Sequence, residues 1–399
     1  MGGHHSTFEK VGQEELAWLG TDPIPASAYY DPDHFERERK SVFLDSWIQV
    51  AHICELAGAG SFVRREIEVA KASILIVRGK DGAIRAFYNV CTHRGTQLVD
   101  DDAGRRSTFS CPYHRWTFGT DGQLVSAPDF NQFHVSKADC ALPPVAIDVC
   151  AGLIFIHFGK QPPPLREWLG DLAPRLEALS VAQATTFTEY VYDIEANWKL
   201  AYDNFQENYH LRFIHPKSSG GGTGADNPFG YPVHYGFHGP HRTQTIWSNP
   251  APGAPPPTLA LAYGKAMAAA ASKGMARASG NTEYFALFPN FFMLGSALSP
   301  FTHVVYPIGP SRSRGVIRLY WVGEDGSASE RIAREYLMAS IRDVHAEDRN
   351  VIEAGQKGLG SGALRHIHFQ TQEILCRHLY LMVEKQIADN EAQMESAVQ

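Results

Sequence analysis

Short apolar runs rich in β-branched residues recur along the first half of the chain, and polar turns separate them. Runs of this length and composition predict β-strands. The predicted strands span residues 47–53, 61–67, 74–77, 84–88 and 153–158. The dipeptides Asp81-Gly82 and Asp121-Gly122 lie between such runs and are typical of hairpin turns. Antiparallel strands joined by tight turns predict a small barrel or sandwich here.

The second half combines strand patterns with two long helical patterns. Apolar runs predict strands at residues 187–194, 284–288, 291–294, 303–307 and 315–322. Apolar residues at helical spacing predict helices at residues 329–356 and 369–387 and a short helix from Leu165. Earlier in the chain, Asp31 as N-cap and Pro32 at the first helical position predict a helix that ends near Val42. The second half is therefore predicted to be an antiparallel sheet flanked by helices.

Segments rich in proline or glycine separate these elements. Residues 161–164 read Gln-Pro-Pro-Pro and predict a linker between the two halves. Residues 218–224 are glycine-rich and residues 249–257 are proline-rich. Long polar loops of this kind are either disordered or cover a site.

Length, charge and hydropathy exclude several classes of protein. A chain of 399 residues can form two or three domains with their own cores. Its net charge of −7 argues against nucleic acid or an anionic membrane surface as a partner. No apolar run reaches the roughly 18 residues that span a bilayer, and the N-terminus lacks the layout of an export signal. We therefore predict a cytoplasmic protein.

Two of the six cysteines lie in tight pairs with histidine, as Cys91-Thr-His93 and Cys111-Pro-Tyr-His114. In an intracellular protein such pairs indicate metal binding, and the other four cysteines are expected to be buried thiols. Two thiolates and two imidazoles bind either zinc or a [2Fe–2S] cluster. Each pair mixes the two ligand types, which favours the cluster because zinc sites commonly pair like with like. Zinc remains the alternative at this point.

Residues 197–216 contain two acids followed by two histidines: Asp203, Glu207, His210 and His215. In a continuous helix Asp203, Glu207 and His210 would share one face. His215 would lie about 140° away from His210, since five residues rotate a helix by about 500°. Both histidines can bind one ion only if the helix ends between them, and Pro216 supplies a reason because it disfavours helical backbone at the preceding residue. The alternative is two unrelated histidines.

A two-histidine iron site requires a carboxylate, and Asp348 is the candidate. The predicted long helix carries a stripe at three-to-four spacing formed by Leu337, Ile341, Val344, Asp348 and Val351 or Ile352. An aspartate on an apolar stripe is costly unless it is paired or binds a metal. A salt bridge to a buried arginine is the alternative. Asp343 and Glu347 lie off the stripe and are predicted to be solvated.

Together these motifs resemble the Rieske non-haem iron oxygenases, and within them the large (α) terminal oxygenase subunit. The matching segments are Cys91-Thr-His93-Arg94-Gly95, Cys111-Pro-Tyr-His114-Arg115-Trp116, Asn197-Trp198-Lys199, Phe288-Pro289-Asn290 and Glu347-Asp348 with Glu353-x-x-Gln356-x-Gly358. The resemblance covers nearly the whole chain and implies an α+β fold. Residues 1–44 would form a segment and helix that pack on the catalytic domain. Residues 45–160 would form a small all-β Rieske [2Fe–2S] domain, and residues 161–399 a catalytic domain of antiparallel sheet flanked by helices.

The resemblance also implies the cofactors and their ligands. One [2Fe–2S] cluster per subunit would be held by Cys91, His93, Cys111 and His114, and one Fe(II) by His210, His215 and Asp348. Glu207 takes the position of a catalytic acid that bridges the two centres, contacting His210 and, in a head-to-tail ring, His114 of the partner subunit. Arg115 departs from the family, which commonly has a small residue there. This departure leaves the ligands intact and bears on the docking surface for an electron donor.

The implied reaction is O₂ activation with electrons from NAD(P)H. They would arrive from a separate reductase, directly or through a ferredoxin, because the chain lacks a glycine-rich dinucleotide fingerprint. The implied assembly is a homotrimer or a trimer with a small β subunit. We predict hydroxylation of a hydrophobic, aromatic substrate in aromatic hydrocarbon catabolism. The candidate pocket residues are Phe205, Leu211, Phe291, Met293 and Phe301.

Two alternatives remain. The first is N- or O-dealkylation by a monooxygenase, including that of quaternary ammonium substrates. Some relatives with such substrates have glutamate at the position of Glu207, but they usually flank the first histidine with cysteines, which Asn208 and Leu211 do not match. The second is a Rieske electron carrier or a zinc-stapled binding module without chemistry of its own. The length of the chain beyond residue 160 argues against this second alternative.

Overall fold

The protein is described by a computed structural model over residues 16–216, 218, 222–251, 254–272, 282–295, 300–323 and 326–398. The chain divides into two compact units. One is Phe43–Trp168, and the other combines Met1–Val42 with Leu169–Gln399. We refer to them as the cluster unit and the catalytic unit.

Strands and helices are numbered along the chain. The strands are β1 Ile24–Pro25, β2 Ile48–His52, β3 Ser61–Ile67, β4 Ala72–Arg78, β5 Ile84–Tyr88, β6 Ala103–Arg105, β7 Thr108–Ser110, β8 Thr117–Gly119, β9 Leu124–Ser126, β10 Pro144–Cys150, β11 Leu153–His157, β12 Thr186–Ile194, β13 His234–His238, β14 His241–Thr245, β15 Glu283–Leu287, β16 Phe291–Gly295, β17 Phe301–Gly309, β18 Arg312–Trp321 and β19 His366–Ile367. The helices are α1 Pro32–Glu38, α2 Leu165–Leu169, α3 Leu172–Glu177, α4 Trp198–Asp203, α5 Leu211–Ile214, α6 Pro257–Ser272, α7 Ala328–Gly360 and α8 Ile374–Val398. None of the helices within the described ranges has the length and hydrophobicity needed to cross a bilayer.

The cluster unit is all-β and antiparallel. Its larger sheet has the strand order β2-β11-β10-β5-β4-β3-β6, and a second sheet has the order β7-β8-β9. The predicted turns are present, and Gly82 and Gly122 both have a φ of 81°, which L-residues with a side chain rarely adopt. Cys91 and Cys111 belong to the hydrophobic core of this unit, together with aromatic residues such as Trp116. Both cysteines lie on loops at the end of strands, as predicted.

The catalytic unit is built on one antiparallel sheet with the order β12-β18-β17-β16-β15-β14-β13. Helix α7 contacts β12, α4 contacts β17 and β18, and α7 also packs against α6. Helix α7 begins with Ser327, whose hydroxyl accepts a hydrogen bond from the N–H of Glu330 at 3.3 Å. Its buried residues include Leu337, Ile352 and Asp348. Ile341 and Val344 of the predicted stripe are half-buried, so the stripe is buried in part, and the aspartate on it is buried.

Buried polar contacts position α4 within the catalytic unit. Asn197 accepts a hydrogen bond from the N–H of Lys199 at 3.0 Å, and its own N–H donates to Gln356 on α7 at 2.7 Å. Lys199 forms a fully buried ion pair with Glu38 of α1. A buried charge is stable only with such a partner. These contacts hold α1, α4 and α7 together at the base of the acid–histidine stretch.

Several elements of the catalytic unit were not predicted, among them β13, β14 and α6. In addition, residues 218–224, predicted as a loop, lie partly outside the described residues. The predicted helix at 369–387 begins later, at Ile374, and continues to Val398.

Candidate metal centres

Two loops of the cluster unit carry the Cys/His pairs and share one backbone arrangement. In the first loop the N–H of Cys91 donates to the carbonyl of Thr96 at 2.8 Å, and the N–H of Gly95 donates back to Cys91 at 2.9 Å. The second loop repeats both bonds. The N–H of Cys111 donates to the carbonyl five residues later at 2.8 Å, and the N–H of Arg115 donates back to Cys111 at 3.1 Å. Each ligand pair is therefore presented by the same local turn.

The fourth residue after each cysteine has left-handed backbone. Gly95 has a φ of 79°, and Arg115 has a φ of 61°. Left-handed backbone costs a residue with a side chain about 1–2 kcal/mol, a cost that glycine avoids. Arg115, which departs from the family pattern, therefore has a backbone conformation that favours glycine.

The four Cys and His side chains pair by type. The thiols of Cys91 and Cys111 are in contact, and both residues are 1% exposed. The rings of His93 and His114 have centroids 4.7 Å apart. Rieske clusters have two cysteines on one iron and two histidines on the other. The like-with-like pairing fits a [2Fe–2S] cluster of that type.

Burial and unpaired atoms provide a test of that fit. Burial raises the pKa of the Cys91 thiol above its usual value, and the neighbouring Cys111 thiol adds to the rise. A thiolate in this position therefore requires a cation. His93 stacks on Trp116 with centroids 4.9 Å apart, and its Nδ1 is buried without a hydrogen-bond partner among the described residues. A ring held by stacking with a free buried nitrogen is suited to bind a metal.

A second site lies in the catalytic unit, where the ligand atoms of His210, His215 and Asp348 all lie within 4.8 Å of one another. Asp348 Oδ1 is 2.7 Å from Nε2 of His215 and 3.6 Å from Nε2 of His210. Asp348 is 2% exposed, so its carboxylate is held in the interior beside the two imidazoles. Two imidazoles and one carboxylate form the donor set of a non-haem iron site.

A glutamate holds the Nδ1 atom of each histidine. Glu207 bonds Nδ1 of His210 and accepts from the N–H of that residue at 3.2 Å. Glu347 lies 2.6 Å from Nδ1 of His215 and accepts from the hydroxyl of Ser218 at 2.7 Å. Each bond leaves Nε2 as the atom directed at Asp348. Such carboxylates set the tautomer and orientation of a ligand imidazole.

Glu347 is exposed, as the sequence predicted, but the prediction did not foresee its contact with His215. Its side chain is 40% exposed, yet it contacts His215 directly. The helical pattern of α7 could not reveal this contact, because Glu347 lies off the apolar stripe. His215 lies between Glu347 and Asp348. Burial acts to lower its pKa, but the hydrogen bonds and charges of these two carboxylates outweigh burial and raise it.

The backbone between the two histidines differs from the prediction. Helix α4 ends at Asp203, before either histidine, and the one-turn helix α5 lies between them. Glu207 and His210 therefore do not share the face of a continuous helix with Asp203. His215 follows α5 with φ −114° and ψ 44°, which is outside the helical region, as Pro216 led us to expect.

Asp203 belongs to the core rather than to this site. It accepts hydrogen bonds from the hydroxyl of Tyr29 at 2.8 Å and from the side chain of Gln206 at 3.3 Å. Burial raises its pKa to about 7, although the hydrogen bond from Tyr29 and the charges of Arg242 and Lys199 act in the opposite direction. The acid–histidine stretch thus combines one structural acid with one acid that contacts a ligand histidine.

Three of the five predicted pocket residues lie on the catalytic sheet, and they do not all share one face of it. Phe205 lies 5.2 Å from Phe292, ring to ring, and Phe301 lies 5.4 Å from the same ring. Phe291 and Met293 flank Phe292 in β16 and therefore point to the opposite face. Phe291 and Met293 therefore stay predicted pocket residues, on the face of the strand opposite to Phe292. Leu211 is half-buried at the start of α5.

Comparison with known proteins places this chain in a family. Residues 181–389 match the ring hydroxylating alpha subunit (catalytic domain), and residues 46–143 match the Rieske [2Fe-2S] domain. The chain therefore belongs to the ring-hydroxylating oxygenase α-subunit family, with an attached Rieske domain. The predicted α+β fold is confirmed, as are the predicted cofactors, a [2Fe–2S] cluster and a non-haem iron.

Individual relatives are similar over part of their length. The carnitine monooxygenase oxygenase subunit of Escherichia coli (strain K12) is 40% identical over 196 residues, which is 48% of this chain and 52% of that protein. The glycine betaine monooxygenase oxygenase subunit of Pseudomonas aeruginosa (strain UCBPP-PA14) is 30% identical over 194 residues, covering 49% and 45%. The chain thus spans about half the length of the curated relatives it matches.

Among solved structures, a quaternary ammonium Rieske monooxygenase has the same fold. The match covers 96% of this chain and 100% of that one, with a TM-score of 0.76 and 23% identity.

Proposed function

We propose that this chain is the terminal oxygenase component of a multicomponent Rieske non-haem iron oxygenase. It would use O₂ and electrons from NAD(P)H, supplied by a separate reductase, directly or through a ferredoxin. One observation carries the proposal. A single chain contains both the paired Cys/His loops and a buried site of two histidines and an aspartate.

Seven residues would hold the two metal centres. Cys91, His93, Cys111 and His114 would bind the cluster, and His210, His215 and Asp348 would bind Fe(II). When bound, the cluster stores an electron and the iron activates O₂. Three protein ligands leave coordination positions open for O₂ and substrate.

Glu207 is the proposed catalytic acid between the centres. Its bond to Nδ1 of His210 orients that imidazole. In a head-to-tail homotrimer, with or without a small β subunit, Glu207 would also contact His114 of the partner subunit. Heterologous interfaces of this kind close into rings. A carboxylate that bonds both imidazoles couples the two sites.

Quaternary ammonium compounds are the first proposed substrate class. Two similar relatives are named for carnitine and glycine betaine. The rings of Phe205, Phe292 and Phe301 form a cluster, and aromatic faces attract such cations. Phe205 also stacks on His345, three residues before Asp348. The reaction would be N-dealkylation, in which one oxygen atom enters the aldehyde product and the other becomes water.

Ring hydroxylation of an aromatic substrate, in aromatic hydrocarbon catabolism, is the second candidate. The family description supports it, and the same aromatic rings would pack against an apolar ring. We place the protein in the cytoplasm, because the reaction requires NAD(P)H.

Metal analysis and labelled oxygen test the proposal. We expect the purified protein to contain iron, acid-labile sulfide and the visible absorption of a Rieske cluster. His210→Ala should lose the mononuclear iron, keep the cluster absorption and lose turnover. Full mononuclear iron in this variant would refute the site.

The labelled product then distinguishes the reactions. Turnover with reductase and ¹⁸O₂ should place one labelled atom in the product of dealkylation or monohydroxylation, and two in a dihydrodiol. A protein that holds the cluster but neither binds mononuclear iron nor consumes O₂ would instead be an electron carrier.

A further inference from the structure

The catalytic unit contains two buried histidines, His345 and His303, that the proposed iron site does not use. His345 lies on α7, three residues before Asp348 and therefore on the same side of the helix. His303 lies on β17. They are 1% and 0% exposed, respectively. Buried histidines are functional candidates when their ring nitrogens have no structural partner.

Aromatic rings contact both imidazoles. We refer to these rings and the two imidazoles together as the lining of the proposed substrate site. The ring of Phe205 lies 4.4 Å from that of His303, edge to face, and 6.4 Å from that of His345, nearly parallel. Phe292 is 5.2 Å from both Phe205 and His303. Phe205 is only partly buried. The lining therefore combines apolar ring faces with two imidazoles. One of these, His345, is three residues before the proposed iron ligand Asp348.

Tyr192 determines which nitrogen of His303 carries the proton. Its hydroxyl lies 2.6 Å from Nε2 of His303 and has no other acceptor among the described residues. Burial raises the pKa of Tyr192 well above its usual value, so the hydroxyl stays protonated. We assign it as the donor because Nε2 of His303 is its one acceptor among the described residues. Burial, with a contribution from His345, lowers the pKa of His303 well below its usual value. A neutral imidazole that accepts at Nε2 carries its proton on Nδ1.

This Nδ1–H group has no acceptor. Nδ1 of His303 and both nitrogens of His345 are buried without hydrogen-bond partners within the described ranges. An unpaired buried donor costs about 1–3 kcal/mol, and few native structures keep one without a reason. A ligand that accepts the hydrogen bond would remove the cost. Ligand sites are mostly apolar, with a few such polar groups that confer specificity.

We propose that His303 is a specificity-determining residue whose Nδ1–H donates a hydrogen bond to an acceptor oxygen of the substrate. Carboxylate and sulfonate oxygens share this acceptor chemistry, and the probes below distinguish the two. The inference rests on the proposed function, because it requires a substrate beside Asp348. Two uncharged imidazoles can receive an oxyanion without repelling a cationic group elsewhere in the same substrate.

His303→Gln tests the proposal directly. The amide oxygen of glutamine can still accept from Tyr192, while the group at the position of Nδ1 is removed. His378→Gln is the matched control. His378 lies on α8 and is also fully buried, but its ring packs against those of Phe237 and Trp18.

The measurement is anaerobic calorimetric binding to the metal-loaded protein with two pairs of probes. Glycine betaine is compared with tetramethylammonium, and 2-aminobenzenesulfonate with aniline. We expect the wild type to prefer the oxyanion member of at least one pair. His303→Gln should lose about 10-fold of that preference, the equivalent of one buried hydrogen bond. His378→Gln should keep it, and both variants should retain iron and cluster.

Tyr192→Phe provides a second variant if His303→Gln does not fold. It frees His303 to hold its proton on either nitrogen, so the competent tautomer falls to about half and affinity for the oxyanion probe falls about 2-fold. The inference is overturned if the wild type prefers neither oxyanion. It is also overturned if His303→Gln weakens both members of a pair equally. Failure of the proposed function would look different, since the wild type would then lack mononuclear iron.

Discussion

The two metal centres are built by the chain in different ways. In the cluster unit each Cys/His pair lies within one tight loop, and the two loops repeat the same pair of backbone hydrogen bonds. In the catalytic unit His210 and His215 are close in sequence, but Asp348 comes from α7. The first centre is thus assembled from two local turns, whereas the second requires a distant helix to dock against a one-turn helix.

Within the iron-type site, the two carboxylates that contact the histidines also differ in whether they come from the same segment or from a distant helix. Glu207, three residues before His210, bonds that histidine from within the same segment. Glu347, which bonds His215, arrives on α7 together with Asp348. Two adjacent residues of α7 therefore provide a proposed iron ligand and the carboxylate that contacts a second proposed ligand. We expect a local site to tolerate changes elsewhere in the chain better than a site that depends on docking.

Removing one proposed ligand from each centre should have the largest effect and should empty one centre at a time. We expect Asp348→Asn to lose mononuclear iron and keep the cluster, and Cys111→Ser to lose the cluster and keep the iron, because the ligands belong to separate compact units. Turnover should fall below detection in both. Iron and sulfide analysis with visible absorption measures each centre. Full iron in Asp348→Asn would show that α7 does not supply a ligand.

The two supporting glutamates should differ in their effects. Glu347→Gln is expected to weaken iron binding by about 10- to 100-fold, as is usual when a carboxylate behind a metal ligand is lost, and excess iron should restore part of the turnover. Glu207→Gln should keep both metals and still lose most turnover, because the proposed second role of Glu207 is to contact His114 of the partner subunit. Chelator competition and steady-state rates separate the two cases. Glu335→Gln, an exposed change on α7, is the control, and normal turnover in Glu207→Gln would remove the bridging role.

The smallest expected effect concerns the left-handed residue of each cluster loop. Gly95→Ala should destabilise the cluster-loaded protein by about 1 kcal/mol through backbone strain, since a Cβ at Gly95 would meet no atom within 4 Å. Arg115→Ala should change stability by less than about 0.5 kcal/mol, because both residues bear the same strain. Urea unfolding followed by cluster absorption measures both. Equal losses of stability in the two variants would show that left-handed backbone strain does not cause the effect.

Much of the fold could be predicted because its signals are local. The predicted bounds of β3 and β5 agree with the structure, and α1 begins with Asp31 accepting from the N–H of Asp33 at 2.9 Å. Strand β14 was missed because its buried residues are polar, as with Arg242 and Gln244, so no alternation of apolar and polar positions marks it. Helix α6 was missed because its alanine-rich sequence shows little separation of apolar and polar faces.

The ligand types, their spacing and the break before Pro216 follow from the sequence alone, since each depends on neighbouring residues. The sequence also marks Asp348, because a charged residue on an apolar helical stripe requires a partner.

Tertiary structure decides the remaining features. In β16 the strand register pairs Phe292 with His303 and Phe291 with Val304, which separates two adjacent phenylalanines onto opposite faces of the sheet. Docking of α7 converts an exposed-looking Glu347 into a partner of His215. The unpaired nitrogen of His303 depends on the hydroxyl of Tyr192 in β12. Each of these features depends on which elements pack together, and the spacing of residues along one element carries no information about its neighbours.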